Sequence, residues 1–310
     1  MLTVLQTALE VGLIYGLVAL ALFISFSILN IADLSTDGCF TLGCAVGAML
    51  TIAGHPILAL FAAMAAGMLS GYVTAFLQTR LGVESILAGI ISNTGLYTIN
   101  LAVMGFSSNV SITGVDTVFS LFKGIVGGQW SRLILLALIV AVIAFVLIRF
   151  FGTSLGLSIR ATGDSLDMVS ASSINPKATI TIGLCLANAL TALSGCLIGE
   201  YNKFCDINLG TGMVTIALAS LIIGEVFAGH RGGVGKRVVC VVLGSIVYRF
   251  IIALALRLNI SAEYFKLVSA VIVAVAIAAP NMKSYVHLAK IKSNARKLRA
   301  LSGKGDETDA

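Results

Sequence analysis

The chain has 310 residues, of which 58% are hydrophobic and 11% charged, and its mean hydropathy is +1.03. A soluble domain carries about 25% charged residues, and ten of the 34 charged residues here fall within 281–310. The remaining 24 cannot cover the polar exterior that a soluble fold of this size requires. The composition therefore excludes soluble enzymes, disordered proteins and disulfide-stapled secreted domains. It predicts an all-α, polytopic membrane protein in a lipid bilayer.

Apolar runs without charges predict the membrane spans, since about 20 helical residues cross the hydrocarbon core. The first span, 11–32, begins just after Glu10, and Gly54-His55-Pro56 divides 38–79 into two spans because proline ends helices. The polar stretch 107–129 is predicted to be a loop. The remaining spans are 85–105, 133–148, 178–199, 207–224, 238–256 and 265–282. The predicted count is nine, with eight and ten as alternatives.

Lysine and arginine collect on cytoplasmic loops, which predicts the orientation. With nine spans the termini face opposite sides, and a cytoplasmic C-terminus places 14 of the 20 Lys and Arg residues inside and five outside. The twentieth, Arg249, lies within a span. The N-terminus is thus predicted outside, and a basic cytoplasmic tail, 281–310, follows a permease domain, 1–280. This bias explains the net charge of +6, so we infer no nucleic-acid partner.

A weak internal repeat relates two halves, about 9–105 and 178–280. The string ADLSTDG at 32–38 corresponds to CDINLGTG at 205–212, and RLGV at 80–83 to RLNI at 257–260. Four spans in each half with one span between them make the halves inverted, which is a common construction in transporters.

We find no motif for catalysis, a cofactor or a metal. The string GGVGKR at 232–237 is similar to a phosphate-binding loop, but His230 stands where a glycine is required and Arg237 where Ser or Thr must follow the lysine. The six cysteines lack metal-ligand spacing. We therefore expect neither cofactor nor metal, and a membrane-embedded enzyme is disfavoured.

The longest predicted cytoplasmic loop, 152–177, is polar. Asp164 is positioned to cap a short helix that continues to Ser173 and ends before Pro176. Such a helix on the cytoplasmic face suits the docking of a soluble partner, and the alternative is a simple connector.

Six strings in the chain carry a family resemblance. They are LGLSIRATGD (155–164), ASSIN (171–175), ALTALSG (189–195), DLSTDGCFTLG (33–43), GMVTIALASLIIGE (212–225) and VYRFIIAL (247–254). They resemble the permeases of ABC importers of the branched-chain amino acid and simple sugar type, in the subgroup of tryptophan and tyrosine transport permeases. The resemblance runs through residues 9–281, although the Asn-Pro that the family places after Gly163-Asp164 is absent.

The resemblance implies a bacterial cytoplasmic-membrane importer with several components. Two cytoplasmic ATPase subunits hydrolyse ATP, an extracytoplasmic solute-binding lipoprotein delivers the solute, and a second permease copy completes the pathway, most simply as a homodimer. The loop 152–177 then corresponds to the coupling loop that contacts the ATPase. The coupling residues implied are Arg160, Ala161, Gly163, Asp164 and Ser170.

Polar residues within membrane spans are expensive to bury and are candidates for the solute pathway. Ser35 and Thr36 start the second span, with Ser35 as its cap, and Asp37 lies in the first turn, where a carboxylate favours the helix dipole. Asp37 could attract a substrate ammonium group while backbone donors hold its carboxylate, and simple capping is the alternative. Asn208 and Thr211 occupy the matching place in the second half.

Arg249 lies eleven residues into the eighth predicted span. It is a candidate for binding a substrate carboxylate, and the alternatives are pairing with a protein carboxylate and snorkelling to the interface. An ion-coupled secondary transporter with inverted repeats remains open at this point. Such a transporter would use Asp33 or Asp37 as its ion site, and its mechanism assigns no role to the loop 152–177.

Overall fold

The structure is a computed structural model that describes residues 2–128, 130–229, 233–257 and 271. The described residues form eleven α-helices and one two-stranded sheet. In chain order they are α1 (Leu2–Leu22, continuing as a π-helix over Phe23–Ile28), α2 (Thr36–Ile52), α3 (Pro56–Thr79), α4 (Ser85–Val103), β1 (Asn109–Ser111), α5 (Val118–Val126), α6 (Ser131–Phe151), α7 (Ser154–Asp164), α8 (Leu166–Ala171), α9 (Pro176–Asn202), β2 (Phe204–Asp206), α10 (Met213–Ala228) and α11 (Val234–Arg257). This confirms a nearly all-helical, polytopic membrane protein.

Six of the described helices are long and apolar enough to cross a membrane: α1 with its π-helical extension, α3, α4, α6, α9 and α11. Two more apolar helices, α2 and α10, have only 17 and 16 residues, fewer than the roughly 20 that a full crossing needs. The ninth predicted span, 265–282, lies outside the described residues apart from Val271. The predicted count of nine is therefore not confirmed.

The first helix begins earlier than predicted. It includes Glu10, which is only 3% exposed. The Glu10 carboxylate accepts hydrogen bonds from the Tyr201 hydroxyl and from the Gln6 side-chain amide, both at 2.9 Å. Because its polar atoms are satisfied inside the protein, this acidic residue does not mark the start of the span, and the prediction of a span at 11–32 was wrong at that end.

The stretch 107–129, predicted as a loop, contains a strand and a helix. Strand β1 pairs antiparallel with β2, with Val110 opposite Cys205. Helix α5 begins at a capping box in which Thr117 and Ser120 exchange side-chain and backbone hydrogen bonds. We refer to this side of the molecule as the strand end, and to the opposite side, which carries α7 and α8, as the α7–α8 end.

The core centres on α9, which packs against α1, α2 and α3. The backbones of α2 and α9 touch: a Cβ on Gly43 would overlap the Ala192 carbonyl oxygen, and one on Gly195 would overlap the Phe40 carbonyl oxygen. Close contact through small residues is how helices associate in a membrane, where apolar side chains gain little by leaving lipid. Helices α10 and α11 pack in the same way, with Gly244 against the Ser220 backbone.

Candidate functional site

Polar residues meet where α2 begins, beside the middle of α9. The Asp33 carboxylate, 3% exposed, accepts hydrogen bonds from the Ser35 backbone amide (2.9 Å), the Ser35 hydroxyl (2.6 Å) and the Asn188 side-chain amide (2.8 Å). The Thr36 hydroxyl donates to the Asp33 carbonyl at 3.0 Å. We call Asp33, Ser35, Thr36 and Asn188 the buried polar junction. It fixes the start of α2 against α9.

Ser35 occupies the N-cap position of α2, as predicted, but its side chain makes no capping hydrogen bond. The hydroxyl donates to the Asp33 carboxylate, and this charge-assisted hydrogen bond is stronger than one between neutral groups. Asp33 is therefore the residue that organises this helix start. The sequence indicated Asp33 only as an ion site for a secondary transporter, and its pairing with Asn188, 155 positions away, follows from tertiary structure alone.

Asp37 bridges two helices. It belongs to the first turn of α2, yet its carboxylate accepts hydrogen bonds from the backbone amides of Gly212 and Val214, each at 2.9 Å. These amides open α10, so Asp37 places a negative charge at the N-terminus of a helix in the other half of the chain. These two amides are therefore bonded to Asp37 and are not free donors for a substrate carboxylate.

Asn208 and Thr211 lie in the turn before α10, and both are exposed. The Asn208 amide donates to the Asp206 carboxylate at 2.8 Å, and the Thr211 amide donates to the Asn208 carbonyl at 3.0 Å. The same turn contacts α2 through its backbone, since the Gly210 amide donates to the Thr41 hydroxyl at 3.1 Å. The structure brings the turn to α2 but leaves these two predicted pathway residues outside the buried polar junction.

Arg249 lies on α11 with its guanidinium carbon 3.8 Å from the centre of the Tyr15 ring, a cation–π contact. Its buried Nε has no hydrogen-bond partner, and the described part of the chain contains no carboxylate ion-paired with it. Arg249 also lines a cavity of about 270 Å³ between α1 and α11, together with Val4, Thr7, Ala8, Val11, Ile252 and Ala253. Asp37 does not line this cavity, so the structure does not bring the two predicted charges to one site.

The predicted coupling loop contains two helices, α7 and α8. Asp164 is the last residue of α7, and Ser165 is the N-cap of α8, where its hydroxyl accepts from the Met168 amide. The prediction that Asp164 caps a single helix through Ser173 was therefore wrong. The chain turns at Ser165, whose extended backbone separates the two helices, and α8 ends at Ala171.

One face of α7 packs against the membrane helices. The Thr162 hydroxyl hydrogen-bonds the Thr179 hydroxyl at 2.8 Å, and Ile159 is fully buried. A Cβ on Gly163 would overlap the carbonyl oxygen of Ile28, the last residue of the π-helical segment. Gly163 is thus a contact inside the subunit, and Ala161 beside it is half-buried.

The other face of α7 and α8 is open. Arg160, Asp164 and Ser170, the remaining predicted coupling residues, are all exposed. Four apolar side chains on the same two helices are more than half exposed: Leu155, Leu157, Leu166 and Met168. We call this set of exposed residues on α7 and α8 the coupling surface.

A polar cluster that the sequence did not reveal lies at the same end. Arg237 donates to the Glu225 carboxylate at 2.7 Å and to the Ser27 hydroxyl at 2.6 Å, and the Ser27 hydroxyl also donates to Glu225. The Arg237 guanidinium lies 5.0 Å from the centre of the Phe23 ring. These contacts tie the π-helical segment to α10 and α11. Their separation in sequence, 198 positions for Ser27 and Glu225, leaves no local signal.

Comparison with known proteins places the chain in a family. The family described as "Branched-chain amino acid transport system / permease component" matches residues 4–277. The "Tyrosine transport system permease protein" of Clostridioides difficile (strain R20291) is 32% identical over 272 residues, covering 87% of this chain and 89% of the relative. An uncharacterized protein of Rickettsia prowazekii (strain Madrid E) is 31% identical over 277 residues, covering 88% of this chain and 96% of its own length. No solved structure matches the chain. A polytopic helical chain matched over most of its length by this family is a transport permease rather than an enzyme, and it belongs to the permease components of branched-chain amino acid transport systems.

Proposed function

We propose that the chain is the membrane-spanning subunit of a bacterial ABC importer. It carries an amino acid, aromatic or branched-chain, into the cell with ATP hydrolysed by separate subunits. Family membership supports transport of amino acids, and the printed name of the Clostridioides difficile relative supports an aromatic one. The observation that carries the ATP-coupled mechanism is the coupling surface.

The coupling surface has the composition of a protein interface. Exposed apolar side chains outside a membrane span mark a partner-binding site when they cluster with charges. Here Leu157 and Met168, each more than half exposed, share the surface with Arg160, Asp164 and Asp167. An ATPase subunit that docks here covers the apolar groups and pairs with the charges. A secondary transporter has no use for such a surface.

The charge distribution supports a cytoplasmic coupling surface, an N-terminus outside the cell and the tail 281–310 inside. The helix directions support two inverted halves. Helix α1 runs antiparallel to α9, with Glu10 beside Tyr201 and Ile14 beside Ser194. Helices α2 and α10 begin side by side at Asp37 and run apart. We infer that α1, α2 and α3 correspond to α9, α10 and α11 within a permease domain of residues 1–280.

We place the solute pathway beside the contact between α2 and α10, where the two halves meet at Asp37. The Asp37 carboxylate, which is only partly buried, supplies the negative charge that an ammonium group can approach there. Arg249, in its separate cavity, supplies a cation on α11 for a carboxylate at a different stage of passage. The partners are two ATPase subunits, a solute-binding lipoprotein and a second copy of the permease.

The coupling surface is tested by charge reversal at Arg160. Arg160→Glu, in the full complex reconstituted in proteoliposomes, should lower ATP-driven amino acid uptake about tenfold or more, because like charges at an interface weaken docking. Arg80→Glu is the matched control: Arg80 is also exposed, and it lies at the end of α3, outside α7 and α8. If Arg160→Glu retains the ATPase on purification and transports as well as Arg80→Glu, the coupling surface is not the docking site.

A further inference from the structure

A small cavity lies at the strand end, between α5, α6 and α9. Its volume is about 160 Å³, comparable to the head group of an amino acid with part of a side chain. The lining residues are Thr117, Phe119, Ser120, Lys123, Arg132, Glu200, Tyr201 and Lys203. The cavity is separate from Asp37 and from the cavity beside Arg249.

Charges of both signs line the cavity, and they differ in depth. Lys123, Arg132 and Lys203 are exposed at its rim, and in the described part of the chain none of them forms an ion pair. Glu200 is only 1% exposed. The three cations and one carboxylate give the cavity a surplus of two positive charges, which favours a ligand that brings a carboxylate.

Glu200 is held in place from two sides. One carboxylate oxygen accepts from the Thr51 hydroxyl at 3.0 Å and the other from the Val118 amide at 2.8 Å. The second bond anchors the start of α5 over the cavity. Each carboxylate oxygen has a further lone pair, so the fixed carboxylate can still accept a hydrogen bond from a group that enters the cavity.

An aromatic pair completes the lining. The Phe119 and Tyr201 rings meet edge to face with centroids 5.9 Å apart. The Tyr201 hydroxyl donates to Glu10, and the Arg132 guanidinium carbon lies 5.8 Å from the centre of the Tyr201 ring. Because Tyr201 is fixed by both contacts, the pair offers a preformed apolar contact for a ligand side chain.

We propose that this cavity is a binding site for a free amino acid. The rim cations bind its carboxylate, Glu200 receives its ammonium group, and the aromatic pair contacts its side chain. The proposal rests on the proposed function, which places the strand end outside the cell. It adds a recognition site on the permease itself, so that the solute is bound again after it leaves the binding protein.

The depth of the charges favours a small molecule over a docked protein. A protein surface that brings an acidic side chain can reach Lys123, Arg132 and Lys203, which are exposed. Glu200 lines the cavity but is only 1% exposed, so only a group small enough to enter the cavity can approach it. A free amino acid carries a carboxylate and an ammonium group two bonds apart, so it can contact the cations at the rim and Glu200 at the same time.

The test is equilibrium binding of radiolabelled L-tyrosine to the full-length permease in lipid nanodiscs, without binding protein. We expect saturable binding that weakens about tenfold or more in Arg132→Gln/Lys203→Gln, because two carboxylate-binding cations are lost. The matched control, Arg80→Gln/Lys177→Gln, removes two exposed cations at the α7–α8 end and should bind as the unaltered protein does. Unlabelled tyramine, which lacks the carboxylate, and 3-(4-hydroxyphenyl)propionate, which lacks the ammonium group, should both compete more weakly than tyrosine.

Several results would overturn the site. They are the absence of saturable binding, equal binding by both double variants, and equal competition by tyrosine and its two analogues. Loss of binding-protein capture in Arg132→Gln/Lys203→Gln with unchanged tyrosine binding would show a docking surface instead. ATP-driven uptake by the complete transporter is measured separately. If the complete transporter takes up amino acid but the permease binds none in this cavity, only this inference is refuted. If the permease binds tyrosine but the complete transporter shows no ATP-driven uptake, the proposed function is refuted.

Discussion

Replacing Asp37 with asparagine tests the contact between the two halves of the chain. The carboxylate accepts two backbone amides at the start of α10, from Gly212 and Val214. An asparagine side chain has one oxygen and one NH2 group in the same positions. The oxygen keeps one of the two bonds, and the NH2 group faces the other amide, donor against donor.

The cost can be worked out from these contacts. Losing one charge-assisted hydrogen bond and leaving a partly buried amide unpaired costs about 1.5–3 kcal/mol. Removing the negative charge from the α10 N-terminus costs about 0.5–1 kcal/mol more. We therefore expect Asp37→Asn to lower the free energy of unfolding by about 2–4 kcal/mol. With about 1.5 °C per kcal/mol in a chain of 310 residues, the melting temperature should fall by about 3–6 °C.

The measurement is thermal unfolding of the purified permease in one detergent, with Asp206→Asn as the control. Asp206 is partly exposed and accepts the Asn208 amide within a turn, so its loss should cost less than about 1 kcal/mol. Uptake by Asp37→Asn should also fall, because the proposed pathway loses its charge. Equal melting of the two variants would refute the idea that Asp37 holds the halves together, and wild-type uptake by Asp37→Asn would remove it from the pathway.

The remaining predictions concern the coupling helices and the orientation. Gly163→Ala should destabilise the protein and separate α7 from the π-helical segment. Gly152→Ala is the control and should be tolerated, because its added Cβ would meet its nearest neighbour at 3.4 Å. Proteolysis of the segment between α6 and α9 measures the difference, and equal resistance of the two variants would contradict the close packing of Gly163. In a cysteine-free background, a membrane-impermeant thiol reagent should label Ser108→Cys from outside intact cells but not Ser302→Cys, and labelling of the latter would reverse the proposed orientation.

Much of the helical architecture could be predicted, because a helix that crosses the hydrocarbon core needs a long apolar run with few charges, and such runs are visible in the sequence. The boundary near Pro56 was found since proline ends helices. The start of α1 was misplaced because the absence of charge was used as the criterion, whereas the buried Glu10 carboxylate accepts hydrogen bonds from Gln6 and from Tyr201, 191 positions away. Helix α5 was missed because its nine residues lie in a polar stretch and are stabilised by a cap and by Glu200.

The candidate site was predicted less well than the fold. The string around Asp37 identified the right segment, since polar residues within an apolar chain need partners. Which partners they find depends on tertiary structure: Asp33 meets Asn188 and Asp37 meets the start of α10. The same limit applies to Gly163, whose role follows from its contact with Ile28. A sequence shows that such residues are unusual but not which neighbour each one has.

The close backbone contacts within the bundle have a mechanical consequence. Helices α2 and α9 touch at Gly43 and Gly195, and α10 and α11 touch at Gly244, so neither pair has a side-chain layer that could repack. We therefore expect each pair to move as a rigid body. The boundary between the two pairs is crossed by the hydrogen bonds of Asp37 and Thr41, so movement of one pair relative to the other has to strain or break them.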